Sequence, residues 1–321
     1  MKILITGGAG FIGSHLSHRL VDEGHRVTVF DNLSTGLKSN IADLIGTENF
    51  TFVEGTILDE PTVIQVMKDK DLVIHLAASV GVKLIMDEPL KSIINNLTGT
   101  ENVLKIANKN KIKTIIASTS EVYGKNSKVP FSESDDRIMG PTQKTRWSYA
   151  ESKALDEFIA LAYYHEESLP VVITRFFNVI GPKQRSEYGM VVPRFISKAL
   201  RGQDIEIYGD GNQSRCFSYI DDVVEALVRL INCDKAVGEV INVGCDREIS
   251  INELADMVIK LTESKSKVTH IDPEKVYGEH FEDMQIRKPD LKKIKNLVNW
   301  SPSTTIDLSI KSIIESGDLA A

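Results

Sequence analysis

Cysteine is scarce: the 321 residues hold three, Cys216, Cys233 and Cys245. An odd number without metal-ligand spacing excludes a disulfide framework and a cysteine-based metal site, so no metal is expected. Reduced thiols and a cytoplasmic location are the expectation. Positive charge is also in deficit, since 38 Lys and Arg against 45 Asp and Glu leave a net charge of -7. Nucleic-acid binding needs a clustered basic surface, so this balance gives no support for nucleic acid as a partner. No apolar run approaches the roughly 20 residues that span a bilayer, and the first residues read as a strand, not as a signal peptide. A membrane is therefore not an expected partner. Internal repeats, low-complexity segments and runs of hairpins are missing as well.

What is there is a strict order. The length suits one large α/β domain or two smaller ones with a proper core. The stretch Met1 to Asp31 reads as strand, glycine turn, helix and strand, the βαβ unit that holds a dinucleotide. Gly7 permits the tight turn, Gly10 admits a pyrophosphate against the backbone, and Gly13 lets helix and sheet pack closely. The phosphates then rest on the helix N-terminus, where free N–H groups and the dipole favour negative charge. Asp31 accepts hydrogen bonds from a ribose hydroxyl pair and repels a 2′-phosphate, which favours NAD over NADP. The polar loop Asn32 to Asn40 is placed to wrap the adenosine.

Further strands are expected at Phe50 to Glu54, Leu72 to Leu76, Thr114 to Ser118, Val171 to Phe176 and Glu239 to Val243. Helices are expected from Glu60 behind Asp59 as cap, over Leu90 to Asn110, from Tyr149 through Tyr163, and over Tyr219 to Asn232. Alternation of strand and helix predicts an α/β fold, a Rossmann-type doubly wound parallel sheet. Small residues at the carboxyl end of the Leu72 strand leave room for a cofactor there. His75, inside that strand, is read as a packed histidine rather than a catalytic one.

The chemistry begins at Thr119, Ser120 and Glu121. Some 25 residues on, Tyr149 and Lys153 stand four apart on a helix, hence on one face. A tyrosine hydroxyl titrates near 10, so a phenolate base at neutral pH needs a shift of about 3 units, or about 4 kcal/mol. A lysine ammonium one turn away and a positively charged nicotinamide ring can supply it in a low-dielectric site.

With those residues in view the chain resembles an extended short-chain dehydrogenase/reductase of the nucleotide-sugar epimerase, dehydratase and decarboxylase family. GGAGFIGSH, the DNLSTG loop, HLAA, STSEVYG, YAESK, RFFNVIGP, YGDGNQSR, INVG, RKPD and NWSP resemble its landmarks in order, over nearly the whole chain. The resemblance implies a smaller, discontinuous C-terminal α/β substrate domain: 177–216 plus 244–321 beside a cofactor domain of 1–176 plus 217–243. It implies NAD contacts from Gly7, Gly10, Phe11, Ile12, Gly13, Asp31, Asn32, Ser34, Gly36, Ile57, Leu76, Ala77 and Ala78, with Tyr149 and Lys153. Tyr149 would take a proton from the sugar O4, Thr119 would hold that hydroxyl, and Lys153 would bind the nicotinamide ribose. The hydride from C4 is normally returned at the end. Asn178, Val191, Val192, Pro193, Arg194, Tyr208, Arg215 and Arg287 would bind a UDP-sugar. Helices over Leu97 to Asn110 and Tyr149 to Tyr163 would form a homodimer interface.

The pair Ser120 and Glu121 is similar to the UDP-glucuronate decarboxylases, as are Arg146 and Trp147 just ahead of Tyr149, and Arg287. Ser120 and Arg287 would then hold a substrate carboxylate while Glu121 handles a proton near C5. A UDP-hexose 4-epimerase and a UDP-N-acetylhexosamine 5,6-dehydratase are the alternatives, and a non-catalytic NAD-sensing regulator a remote one. Glu121 is also readable as a structural carboxylate and Arg287 as a pyrophosphate ligand. The basic cluster from Arg287 to Lys295 reads as a solvated helix face. Two positions depart from the family pattern: Thr56 and Cys216 stand where Asp is common.

Overall fold

The structure is a computed structural model that describes residues 1–186, 190–277, 282 and 284–319. Its centre is a parallel sheet of seven strands: β1 (Lys2–Thr6), β2 (Arg26–Asp31), β3 (Phe50–Glu54), β4 (Leu72–His75), β5 (Lys113–Thr119), β6 (Val171–Phe176) and β7 (Val240–Val243). Their spatial order is β7-β6-β5-β4-β1-β2-β3, reversing direction at β1 and β4. All six pairings are parallel. A strand with helices on both sides must be apolar on both faces. In β1, Ile3 and Ile5 enter one core while Leu4 enters the other, and Ile115 and Ile116 of β5 divide in the same way.

One layer packs α1 (Phe11–Asp22) on the sheet. The other packs α2 (Glu60–Met67), α3 (Pro89–Asn110) and α4 (Ser148–Glu167), through Val63, Val103, Leu104 and Ala160. Farther along, α5 (Val191–Leu200) leads into α6 (Ile220–Ile231), which lies beside α1 and buries Val223 and Leu227. The core of the remaining elements is separate. It joins α5, α7 (Ile251–Leu261) and α8 (Ile306–Ser316) through Phe195, Leu254, Val258 and Ile310. Helix α7 starts on a capping box, Ser250 with Glu253, which satisfies the first free N–H groups.

The sequence-predicted elements stand within a few residues of their expected bounds. At α2 the expected cap differs in detail, because the Asp59 carboxylate is engaged by the Thr62 hydroxyl and accepts nothing from the helix backbone. His75 is a packed histidine. Its ring nitrogens meet Thr6 (2.7 Å) and Thr100 (3.1 Å), and burial lowers its pKa to about 3, so it is neutral. The basic stretch after Arg287 is not solvated throughout, since Arg287 and Ile294 are buried.

The path of the chain beyond Arg287 was not visible in the sequence. Phe131 donates its N–H to Lys288 O at 2.7 Å and accepts from Asp290 N–H at 2.8 Å. Ile294 and Trp300 then enter the core between the sheet and α1 and α6, and Trp300 Nε1 donates to Asp222 O at 2.9 Å. The Asp222 carboxylate receives Ser303 and Thr304 N–H groups just beyond. The segment is thus locked to the sheet before α8 begins. Trp300→Ala should lower stability by about 3–5 kcal/mol, the cost of truncating a buried aromatic. Urea unfolding at constant m measures it, and a loss below about 1 kcal/mol would mean that the segment is a loose appendage.

Candidate active site

The carboxyl ends of β1, β4, β5 and β6 open into a cavity of about 770 Å³. In a doubly wound sheet this crevice forms where strand order reverses. At one end lies the glycine turn. Gly7 has φ +70, and its N–H donates to Phe30 O at 2.9 Å. A Cβ at Gly13 would stand 2.4 Å from Gly7 O, so no larger residue fits between helix and turn. Helix α1 carries no side-chain cap and no acidic residue in its first turn, which leaves its N-terminal field open for phosphate. Asp31 Oδ2 accepts Ala9 N–H (3.0 Å) and Oδ1 accepts Leu33 N–H (2.8 Å). Burial lifts its carboxyl above the usual range against those backbone donors. Each oxygen keeps a lone pair for a ribose hydroxyl. The cradle therefore fits a dinucleotide with an unphosphorylated ribose.

Phe11, Ile12, Asn32, Ser34, Ile57, Leu76, Ala77 and Ala78 line this part of the cavity together with Gly7, Gly10, Gly13 and Asp31. Gly36 does not. It lies against the turn from behind, where a Cβ would come within 3.0 Å of Ala9 and Gly10 backbone atoms.

At the other end Thr119, Glu121, Tyr149, Lys153 and Arg287 converge on one wall. Strand β5 stops at Thr119 and a short 3-10 turn carries Ser120 and Glu121, while α4 presents Tyr149 and Lys153 one turn apart. Glu121 N–H donates to Thr119 Oγ1 at 3.2 Å. Lys153 Nζ donates to Asp156 Oδ2 at 2.8 Å, with both side chains buried. The Tyr149 hydroxyl pKa is raised, first by burial and then by the Glu121 and Asp156 charges, while Arg287 and the Thr119 hydroxyl pull it down. The direction is opposite to what a phenolate base needs, because burial and the two carboxylates outweigh Arg287 and the Thr119 hydroxyl.

Ser120 is fully buried behind Glu121 and accepts from Arg287 Nη2 at 2.7 Å. Arg287 Nη1 lies 3.7 Å from Glu121 Oε1, and Arg146 Nη1 donates to Glu121 Oε2. Burial alone would push the Glu121 carboxyl up, but Arg146 and then Arg287 outweigh it and hold the group below the usual carboxylate range. The sequence reading paired Arg287 with Ser120 and left Arg146 without a role. The signal was its place three residues ahead of Tyr149, a turn that brings it back over the strand end.

Toward the mouth, the Arg194 guanidinium stacks 4.0 Å from the Tyr208 ring centroid, and its Nε and Nη1 are buried without a hydrogen-bond partner. Such atoms are costly unless an acceptor reaches them, and a diphosphate oxygen is one. Arg215 lines the same region and donates to Ser214 O (2.8 Å) and Gln285 O (3.1 Å). Asn178 lines it too, with φ 31 and its amide donating to Cys216 O at 2.9 Å. Val192 and Pro193 are corrections. Both are buried, Val192 in the core with Phe195 and Ile196, while Met190, Val191 and Arg194 face the cavity. Helix phase decides this: Met190 and Val191 stand one turn ahead of Arg194 on its side, and Val192 and Pro193 turn away into the core.

Among the described residues no group of His, Cys, Asp and Glu is placed to hold a metal, and no helix is long and apolar enough to cross a membrane.

The comparisons agree with this architecture. A family model described as GDP-mannose 4,6 dehydratase matches residues 4–313. A UDP-N-acetyl-alpha-D-glucosaminuronate decarboxylase of Bacillus cytotoxicus is 45% identical over 98% of this chain and 97% of its own length. UDP-glucuronic acid decarboxylase 1 of Xenopus tropicalis is 37% identical over 98% of this chain and 71% of its own. Among solved structures, a UDP-glucuronic acid 4-epimerase of Bacillus cereus, in complex with UDP-glucuronic acid and NAD, superposes with a TM-score of 0.89. It is 30% identical and covers 98% of both chains. With fold, motif order and relatives in agreement, the chain belongs to the extended short-chain dehydrogenase/reductase family of nucleotide-sugar epimerases, dehydratases and decarboxylases.

Proposed function

We propose that this enzyme is a UDP-hexuronate decarboxylase that works through oxidation at C4, with NAD as its cofactor. One observation supports an acidic sugar as the substrate: the Ser120, Glu121 and Arg287 cluster beside Tyr149 offers a guanidinium to a sugar carboxylate, and the 45% identical glucosaminuronate decarboxylase supports decarboxylation over epimerisation of that sugar. A 4-epimerase acting on a neutral sugar needs no such cation.

The roles follow from position. Gly7, Gly10, Asp31 and Lys153 would hold NAD, which would supply the hydride acceptor for sugar C4 and the hydride donor for the product. Tyr149 removes the O4 proton as that hydride leaves, with Thr119 holding the same oxygen. Lys153 supports the ribose and the charge on Tyr149. The oxidised sugar carries its C6 carboxylate β to a ketone, so the C5–C6 bond breaks with its electrons drawn toward O4. Arg287 and Ser120 hold the carboxylate until it leaves as carbon dioxide. Once Arg287 turns to the substrate, Glu121 keeps Arg146 and the weaker pull of Arg215. Burial then weighs more, its pKa rises, and it becomes suited to handing a proton to C5. Arg194, Arg215, Asn178 and Tyr208 bind the uridine diphosphate end. The division into 1–176 plus 217–243 and 177–216 plus 244–321 remains our proposal for the two functional halves.

We also propose a homodimer. Leu90 and Ile94 on α3 are 70% and 47% exposed, and Leu155 and Phe158 on α4 are 45% and 62% exposed. Each pair stands at helical spacing on neighbouring helices, a two-helix apolar face that a second copy completes to four. A cytoplasmic location belongs with this reading.

Three outcomes are expected. Incubation with UDP-glucuronate, its N-acetylated counterpart, UDP-glucose and UDP-N-acetylglucosamine, read by mass and proton NMR, should show loss of carbon dioxide from a uronate. Unchanged mass with inverted C4 would make the enzyme an epimerase, loss of water a dehydratase. Arg287→Met should raise KM for the uronate by about 10- to 100-fold, the worth of a charge-assisted hydrogen bond, and leave inhibition by UDP nearly unchanged. Equal weakening of both ligands would assign Arg287 to the diphosphate. Small-angle scattering should give the mass of two chains, and Phe158→Glu should give one. A monomeric wild type would overturn the dimer.

A further inference from the structure

Asp156 is a fully buried carboxylate that the reaction scheme does not use. It follows Lys153 by three positions on α4, where an acid and a base usually form an exposed pair of little consequence. Here Lys153 is 2% exposed and Asp156 0%. Oδ2 accepts the Lys153 ammonium at 2.8 Å, and Oδ1 is buried without a hydrogen-bond partner. Isolating such a pair from water is costly, and an apolar residue would pack at the position equally well. The pairing acts on a group the reaction needs. Lys153 has three donors; Asp156 takes one and leaves two for ribose hydroxyls.

We propose that Asp156 is the positioning residue of the Tyr149 and Lys153 pair: it fixes the lysine ammonium at the cavity wall and offsets its charge, so that Tyr149 stays a phenol until the cofactor is in place. This rests on the reading of Tyr149 as the base. Among the described residues several elements face the pair, with Arg146 behind Glu121. From the end of β5 come Thr119 and Glu121, from the segment after Met284 comes Arg287, and from α4 itself come Lys153 and Asp156. From β4 comes His75, neutral, and from α3 Thr100, which faces both His75 and Asp156. Glu157, the other acid near Asp156, is held by Arg175 at 2.7 Å. Burial lifts the Asp156 carboxyl and Lys153 pulls it back. Burial, Glu121 and Asp156 all disfavour ionised Tyr149. Removing the Asp156 charge while keeping Lys153 therefore favours the phenolate, and the sign of the effect is fixed in advance.

The test uses the NAD-loaded protein. Asp156→Asn keeps the shape, Asp156→Ser admits water beside Lys153 should the amide prevent folding, and Asp156→Glu restores the charge. Tyrosinate formation is followed by ultraviolet difference absorbance with Tyr149→Phe as blank, without any sugar. The acidic limb of single-turnover conversion of the UDP-sugar is followed in parallel. In the Asn and Ser variants both should move to lower pH by about one unit, giving about tenfold faster turnover below the limb. Asp156→Glu should return them, and Lys153→Met should move them to higher pH. An unmoved titration accompanied only by a lower melting temperature, or a shift to higher pH in the Asn and Ser variants, would overturn the proposal. Should no UDP-sugar react while the tyrosine titration still shifts with Asp156, the electrostatic role stands and the reaction assignment falls.

Discussion

Glu121 is 9% exposed, and a carboxylate so far out of water is tolerated only when its lost hydration, on the order of several kcal/mol, is replaced. Arg146 and Arg287 replace it from two directions, one from the turn ahead of α4 and one from the segment beyond Met284. The pairing therefore gathers three distant stretches of chain around the mouth of the strand, and Ser120 becomes a second anchor for the same guanidinium. Once assembled, the cluster is a device for anions: a second carboxylate entering the pocket competes with Glu121 for cations already desolvated and in place.

The cofactor end depends on sterics where the reactive end depends on charge. Gly13 must lie within contact of Gly7 and Gly8, because any Cβ there would collide with backbone that has nowhere to move. The phosphate cradle and the seat of α1 are thus one constraint, met within a dozen residues. Arg194 shows the opposite situation. Its buried Nε and Nη1 have no acceptor from the described chain, so that part of the cavity is finished only by a ligand.

These differences explain what the sequence could tell. The sheet, its helices and the turn were legible because their signals are local: Ile3, Leu4 and Ile5 announce a strand buried on both faces, and Gly7, Gly10 and Gly13 announce the turn. His75 was legible as a packed residue for the same reason. Arg287 could be placed only by resemblance, since it meets Ser120 across 167 residues of chain. Val192 was misplaced by one step of helix phase, which a run of apolar residues cannot fix. Arg146 stood out by resemblance without a role, and Asp156 was missed, because a charged residue beside a helix looks solvated until the tertiary packing closes over it. The return of Ile294 and Trp300 to the sheet was hidden likewise, because a short basic helix with few apolar residues does not reveal which surface it joins.

The bridge of Lys288 and Asp290 to Phe131 has a consequence for how the enzyme diversifies. Arg287, which we propose reads the acid group of the sugar, hangs from a strap fastened on the sheet side, while Arg194 and Tyr208, proposed for the nucleotide, belong to elements around a different core. The two recognitions have different anchors but one joint, where Ser214 and Arg215 donate to Gln285 O on the strap. A lineage that exchanges the strap, and with it the preference for an acidic or neutral sugar, must keep that carbonyl in place for Arg215 to hold its grip on the uridine diphosphate.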